Sequence, residues 1–228
     1  MAVKEFVFDK QEITLAQLAI VLKNNWQGYE LLRAKIKKSV HKYGNNDKLT
    51  DVYAESLSNY FTHKVNNVPN SRGGVYKAIL HSARAFVIQG EKTGALPDGR
   101  LAGEELSKNA DAVVGMDKNG ITALIESAVK LIPSNYHESF CLDIMLHPST
   151  VEGESGFIVF KGILMTYIKN GGQSIQFNIF DTNTLRDAQE NPDKYKNLQV
   201  RVCGWNTLWN NMSKKEQDAY ILKAENIQ

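Results

Sequence analysis

From residue 120 onward the chain repeats one change of texture, a helical period giving way to a strand-like run. This succession constrains the fold more than any total does. "GITALIESAVKL" sets Ile121, Leu124, Ile125, Ala128 and Leu131 on one side of a helix, and "SFCLDIML" follows as a buried strand. Phe157, Phe160, Leu164 and Ile168 recur at helical spacing until the "NGG" at 170–172 supplies a C-terminal stop. "SIQFNIF" then alternates as a strand does, and "DTNTLRDAQENPDKY" reads as a short helix beginning near Asp181 or Thr184 and ending before Pro192. The run "LQVRV" from Leu198 is the last predicted strand. Ser213 with Glu216 makes a capping box that opens a C-terminal helix through "SKKEQDAYILKAENI". Gly204 is thereby expected on a loop between a strand and a helix.

The N-terminal part reads as helical. Thr14 with Gln17 makes a capping box, and Ile13 with Leu18 a hydrophobic staple around it. A second amphipathic segment, 29–40, carries Leu32 and Ile36 beside Lys35, Lys37 and Lys38, a cluster read as a solvated helix end. A third runs from Leu49 to Val65 through Val52, Leu57, Tyr60 and Phe61, and "NVPNSRGG" breaks it. The stretch "GALPDGRLAGEELSKN" is rich in glycine and turn residues, and with the mixed segment before it exceeds an ordinary connector.

Composition narrows the function. Lysine and arginine total 27 against 25 acidic residues, a formal charge of +2 with no concentrated basic tract, so no nucleic acid partner is expected. The two cysteines, Cys141 and Cys203, form neither a disulfide framework nor a CxxC site, and a reduced, cytoplasmic setting is expected. With no signal-peptide core and no apolar run of membrane-spanning length, no membrane partner is expected either. The five histidines, His41, His63, His81, His137 and His147, make no ligand pattern, so no metal is expected. Walker, GxGxxG and GxSxG motifs are missing, and no bound cofactor is expected. Cys141 sits in an apolar run where an inert thiol is the default.

Gly204 admits two readings. A glycine in a turn serves backbone freedom. It also offers a Cα–H bond whose homolysis leaves a radical flanked by an amide nitrogen and a carbonyl, both of which delocalise the electron, in a planar geometry that a β-carbon would crowd. Spacing alone leaves both open.

"RVCGW" at Arg201–Trp205 resembles the glycyl radical motif of the pyruvate formate-lyase family and its dehydratase and decarboxylase relatives, Arg-Val-x-Gly followed by an aromatic. The segment 170–202, "TGALPDGRLAGEELS" at 93–107 and "DKNGITALIESAVKL" at 117–131 resemble further blocks of that family, and "LDIMLHPS" fits more loosely. "GWNTLW" departs from the family's more usual aromatic and phenylalanine-type continuation.

The resemblance implies an α/β fold, the C-terminal portion of a ten-stranded α/β barrel, with a helix-rich section at 1–92 and a glycyl radical domain at 93–228. Gly204 would be the catalytic radical store, with Arg201 and Val202 leading into its loop and Trp205 and Trp209 shielding it. An iron–sulfur activase using S-adenosylmethionine would remove the glycine hydrogen, so the radical is a modification of the chain rather than a bound cofactor. The radical would then take a hydrogen from a cysteine outside this chain, since neither Cys141 nor Cys203 matches that cysteine's motif. An upstream portion or subunit bearing it is therefore an expected partner, and a homo-oligomer is a further one. His147 and the Pro97–Arg100 loop would border the pocket or serve structure. Elements lacking their barrel neighbours would expose apolar surface. The alternative reading is a non-catalytic replacement module that rescues an oxygen-cleaved enzyme.

Overall fold

The computed structural model describes residues 1–39, 41–82, 85–202 and 204–225. In chain order the helices are α1 (Leu15–Lys23), α2 (Glu30–Lys38), α3 (Lys48–Val65), α4 (Ala85–Lys92), α5 (Gly120–Val129), α6 (Gly153–Lys169), α7 (Thr182–Glu190) and α8 (Lys214–Glu225). The strands are β1 (Ile79–Leu80), β2 (Ser139–Leu146), β3 (Ser174–Ile179), β4 (Gln199–Val202) and β5 (Trp205–Leu208). Two compact units divide these elements. One joins 1–42 to 84–107, the other 43–83 to 108–228.

The first unit packs Phe6, Ile13, Leu18, Val21, Trp26 and Ile36 into one apolar cluster. Thr14 and Gln17 form the capping box the sequence predicts, with Gln17 N–H on Thr14 Oγ1 at 3.2 Å and Thr14 N–H on Gln17 Oε1 at 2.9 Å. A π-helix over Val3–Asp9, unforeseen from sequence, buries Phe6 and Val7. The glycine-rich stretch is ordered around Arg100, only 5% exposed, whose guanidinium donates to the carbonyls of Gly90, Thr93, Gly94, Glu104 and Glu105. Five carbonyls gathered on one cation explain why so long a connector holds a single shape.

In the second unit β1, β2 and β3 form a parallel sheet, β2 in the centre. The β2–β3 register runs from Cys141 opposite Ser174 to Leu146 opposite Ile179, and α6 makes the crossover that parallel neighbours require. Residues Phe140 to Leu146 are all buried, as befits a central strand with both faces covered. Tyr136, Phe140, Leu142, Ile144, Ile163 and Tyr167 dominate the core on this sheet. A second cluster forms beside it from Met145, Leu185, Val200, Trp209, Ile221 and Ala224.

Three expectations are corrected. The chain turns after Gly204 into β5, antiparallel to β4, so the glycine sits in a hairpin and not before a helix. On α3 the predicted apolar residues Val52, Leu57, Tyr60 and Phe61 are exposed, while Thr50, Asp51, Ser58 and Thr62 face inward. Two of those polar groups are drawn in by specific bonds, Ser58 Oγ to Leu131 O at 2.6 Å and Ser127 Oγ to Asp51 Oδ2 at 3.0 Å. On α6 Phe157 and Ile168 are likewise exposed, and the buried positions are Gly156, Ile163 and Tyr167.

Candidate functional site

The β4–β5 pairing ends with Val202 opposite Trp205, and Gly204 lies in the turn between them. Gly204 has φ +98°, a region that L side chains rarely enter, which suits glycine to so tight a hairpin. Along β4 the strand period buries Val200 and Val202 and exposes Gln199 and Arg201. Trp209 N–H closes the base of the hairpin on Leu198 O at 2.8 Å. Cys203 lies outside the described residues.

Side-chain amides hold this hairpin to the sheet. Asn178 of β3 makes a reciprocal pair with Arg201, accepting its N–H at 2.7 Å and donating to its carbonyl at 3.0 Å. The arrangement copies what a neighbouring strand's peptide groups would do. Tyr220 Oη donates to the same carbonyl at 3.1 Å. Two residues before Asn178, on the same face of β3, Gln176 Oε1 accepts the Gly204 N–H at 2.9 Å. Gln176 is 7% exposed, and its Nε2 has no partner among the described residues. Chain neighbours aside, nothing among the described residues lies within 4 Å of the place a β-carbon on Gly204 would occupy. Space therefore does not demand glycine here; only the backbone angle does.

Trp205, expected to shield Gly204, is 51% exposed within this chain, and Gly204 itself is exposed. Trp209 is fully buried and meets Tyr220 edge-on, with ring centroids 6.4 Å apart. It anchors the hairpin in the cluster beneath.

Behind the cluster lies a buried ionic network that motif reading missed. Lys223 of α8 reaches Asp111 Oδ2 at 2.8 Å and the Asp143 carbonyl at 2.7 Å. Asp111 Oδ1 accepts the Asp143 N–H at 2.9 Å, and the Asp143 carboxylate pairs with Lys108 and accepts from Asn109 Nδ2. Burial pushes the Asp111 carboxyl up to about 6, and the neighbouring Lys223 only partly opposes this. The partners stand 112 residues apart in sequence, beyond any local pattern. The network ties α8, and with it the hairpin's support, to β2.

Cys141 is buried in β2, its Sγ 3.6 Å from Asp143 Oδ1. His147 caps a short 3₁₀ turn through Ser149. In the first unit the Pro97–Arg100 loop is organised by the Arg100 contacts above. Among the described residues no three His, Cys, Asp or Glu side chains gather to hold a metal, and no helix is long and apolar enough to cross a membrane.

Residues 106–210 match the family described as "Glycine radical", and residues 1–90 the one described as "Pyruvate formate lyase-like". Trans-4-hydroxy-L-proline dehydratase of Clostridioides difficile is 34% identical over 98% of this chain, and indoleacetate decarboxylase of Tractidigestivibacter scatoligenes 32% identical over the same share. Among solved structures, hydroxyproline dehydratase from Clostridioides difficile superimposes on 97% of the chain with a TM-score of 0.92 at 34% identity. The B12-independent glycerol dehydratase of Clostridium butyricum gives 0.91 at 32% identity over 97%. The chain spans about 28% of the length of each of these relatives.

Proposed function

Because the chain belongs to the glycyl radical enzyme family, as a counterpart of the C-terminal part of its dehydratases and decarboxylases, we propose that Gly204 stores the radical that such an enzyme uses. The observation that carries this reading is the glycine of the Arg-Val-x-Gly motif at an exposed hairpin tip, inside the stretch that matches the family described as "Glycine radical". In installation, one Gly204 Cα–H bond breaks homolytically. The hydrogen atom passes to a carbon radical that an activase generates from S-adenosylmethionine with one electron from its iron–sulfur cluster. In turnover the Gly204 radical takes a hydrogen atom from a cysteine thiol, re-forming the C–H bond and leaving a thiyl radical to act on substrate. Arg201 and Val202 set the loop, one through its backbone and the other through its buried side chain. Trp205 completes the shield once a covering surface is present.

That cysteine belongs to a portion upstream of the region this chain matches, borne on the same or another polypeptide. The outward faces of α3 and α6 support such a partner: Leu49, Tyr53, Leu57 and Tyr60 on one, Phe157 and Ile158 on the other, are each at least 50% exposed. A cytoplasmic, anaerobic setting suits an oxygen-sensitive radical. Because the relatives matched are dehydratases and decarboxylases, lyase chemistry is favoured over acetyl transfer. The replacement-module reading is weaker, since residues 1–90 match the "Pyruvate formate lyase-like" family outside the radical region.

Anaerobic incubation with an activase of this family and a reductant tests the proposal. Electron paramagnetic resonance is expected to show a glycine-centred doublet that Gly204→Ala abolishes, and oxygen is expected to cleave the chain at Gly204. An activase proven on its own substrate that yields no signal here sinks it.

A further inference from the structure

Gln176 stands out among the buried polar groups because half of its amide is used and half is not. A donor faces its Oε1, the Gly204 N–H at 2.9 Å, which fixes the amide's orientation. The other end, Nε2, is left buried without an acceptor among the described residues. The hairpin also has other fastenings. Asn178 already fastens β4 to β3 with two bonds, and Val200 and Val202 fix it in the core.

The bond bears on the radical through elementary electronics. Loss of the hydrogen atom leaves one electron in a p orbital on Cα. The amide nitrogen then gives density toward that orbital and its N–H becomes a stronger donor. An acceptor already seated on that N–H favours the radical over the parent glycine. Delocalisation also requires the p orbital to align with the amide π system, which holds only when φ is near 0° or 180°. At φ +98° neither Cα–H bond lies along the π axis, so the radical's orbital must turn toward it about the N–Cα bond as Cα becomes planar. One side of that bond has to stay still. Gln176 holds the amide side.

We propose that Gln176 is a positioning residue of the glycyl radical, holding the Gly204 amide through Oε1 as the fixed half of the radical's π system. This rests on the reading of Gly204 as the radical carbon. The test uses the complete enzyme, ¹⁵N-labelled at glycine and activated anaerobically, in wild-type, Gln176→Leu, Gln176→Glu and Asn178→Leu forms. Gln176→Leu is expected to change the nitrogen hyperfine splitting and to hasten radical decay roughly fivefold, the factor an ordinary hydrogen bond is worth. Gln176→Glu, which keeps an acceptor oxygen at the same reach, restores both. Asn178→Leu loosens the hairpin but leaves the splitting unchanged. Should Gln176→Leu fail to fold, Gln176→Asn withdraws the acceptor by one methylene and is expected to give the same altered spectrum. Identical splitting and decay in wild type and Gln176→Leu, or no recovery in Gln176→Glu, overturns the proposal. A wild type without any glycyl signal instead removes the reading of Gly204 on which it rests.

Discussion

Replacing Gly204 by alanine separates the two uses a glycine can have. The added methyl meets nothing among the described residues within 4 Å apart from chain neighbours, so the penalty is that of the backbone angle alone. An L residue held at positive φ costs about 1–2 kcal/mol. For a chain of 228 residues each kcal/mol lowers the melting temperature by about 2–4 °C, so Gly204→Ala is expected to melt about 2–8 °C below wild type, cooperatively and with an unchanged circular dichroism spectrum. Gly156→Ala supplies the contrast: there the new β-carbon falls 2.2 Å from the Val151 carbonyl carbon, backbone that cannot step aside, and the drop is expected to be larger. The two melts, run beside resonance spectra of the activated enzymes, check the reasoning. A Gly204→Ala chain that fails to fold would show that the turn needs glycine for structure. One that melts normally and still carries the wild-type radical would remove Gly204 from the chemistry.

Other outcomes follow from the supports of the hairpin. Trp209→Ala empties a fully buried indole site and is expected to destabilise the chain by about 3–5 kcal/mol in denaturant titration, whereas Trp205→Ala stays within about 0.5 kcal/mol. Asn178→Ala removes both bonds to Arg201 and is expected to cost about 1–3 kcal/mol, read as faster amide exchange confined to β4 and β5. Lys223→Met strands buried Asp111 without its cation, and a loss of about 3–5 kcal/mol with early release of α8 is expected by native-state exchange. For pH, the folded Asp111 carboxyl at about 6 lies above its ordinary 3.8, so the folded chain holds the extra proton between those values. This group's contribution to stability therefore rises as pH falls from 6 toward 3.8, by at most about 3 kcal/mol, and Asp111→Asn is expected to flatten that component in paired melts.

Where a local signal decides the structure, the sequence was legible. Thr14 with Gln17 and Ser213 with Glu216 are capping boxes in fact as in pattern, and Asp181 caps α7 through Thr184 N–H at 2.9 Å. β2 was readable because a continuous apolar run has little alternative to burial. β5 was not: "WNTL" has no apolar alternation, and its place is set by the short turn and by pairing with β4. The α3 stripe misled because its apolar residues face outward while Ser58 and Asp51 are bonded inward. Gln176 and Asn178 looked like the wet side of an alternating strand, yet both are buried because the hairpin lies over them. The proposed role of Gly204 rests on the motif around it, since a turn glycine and a radical glycine share one local pattern.

The Lys223 network has a consequence for a chain severed at Gly204. Everything after the break, from Trp205 through α8, remains plugged into the body by Trp209, Ile221 and Ala224 in the apolar cluster and by the Lys223 ion pair. A cut at the hairpin is thus expected to be a nick rather than an amputation: two bands on a denaturing gel, one particle in native solution. A spare radical loop would then have to contest an occupied socket, its pace set by how quickly the old stub lets go.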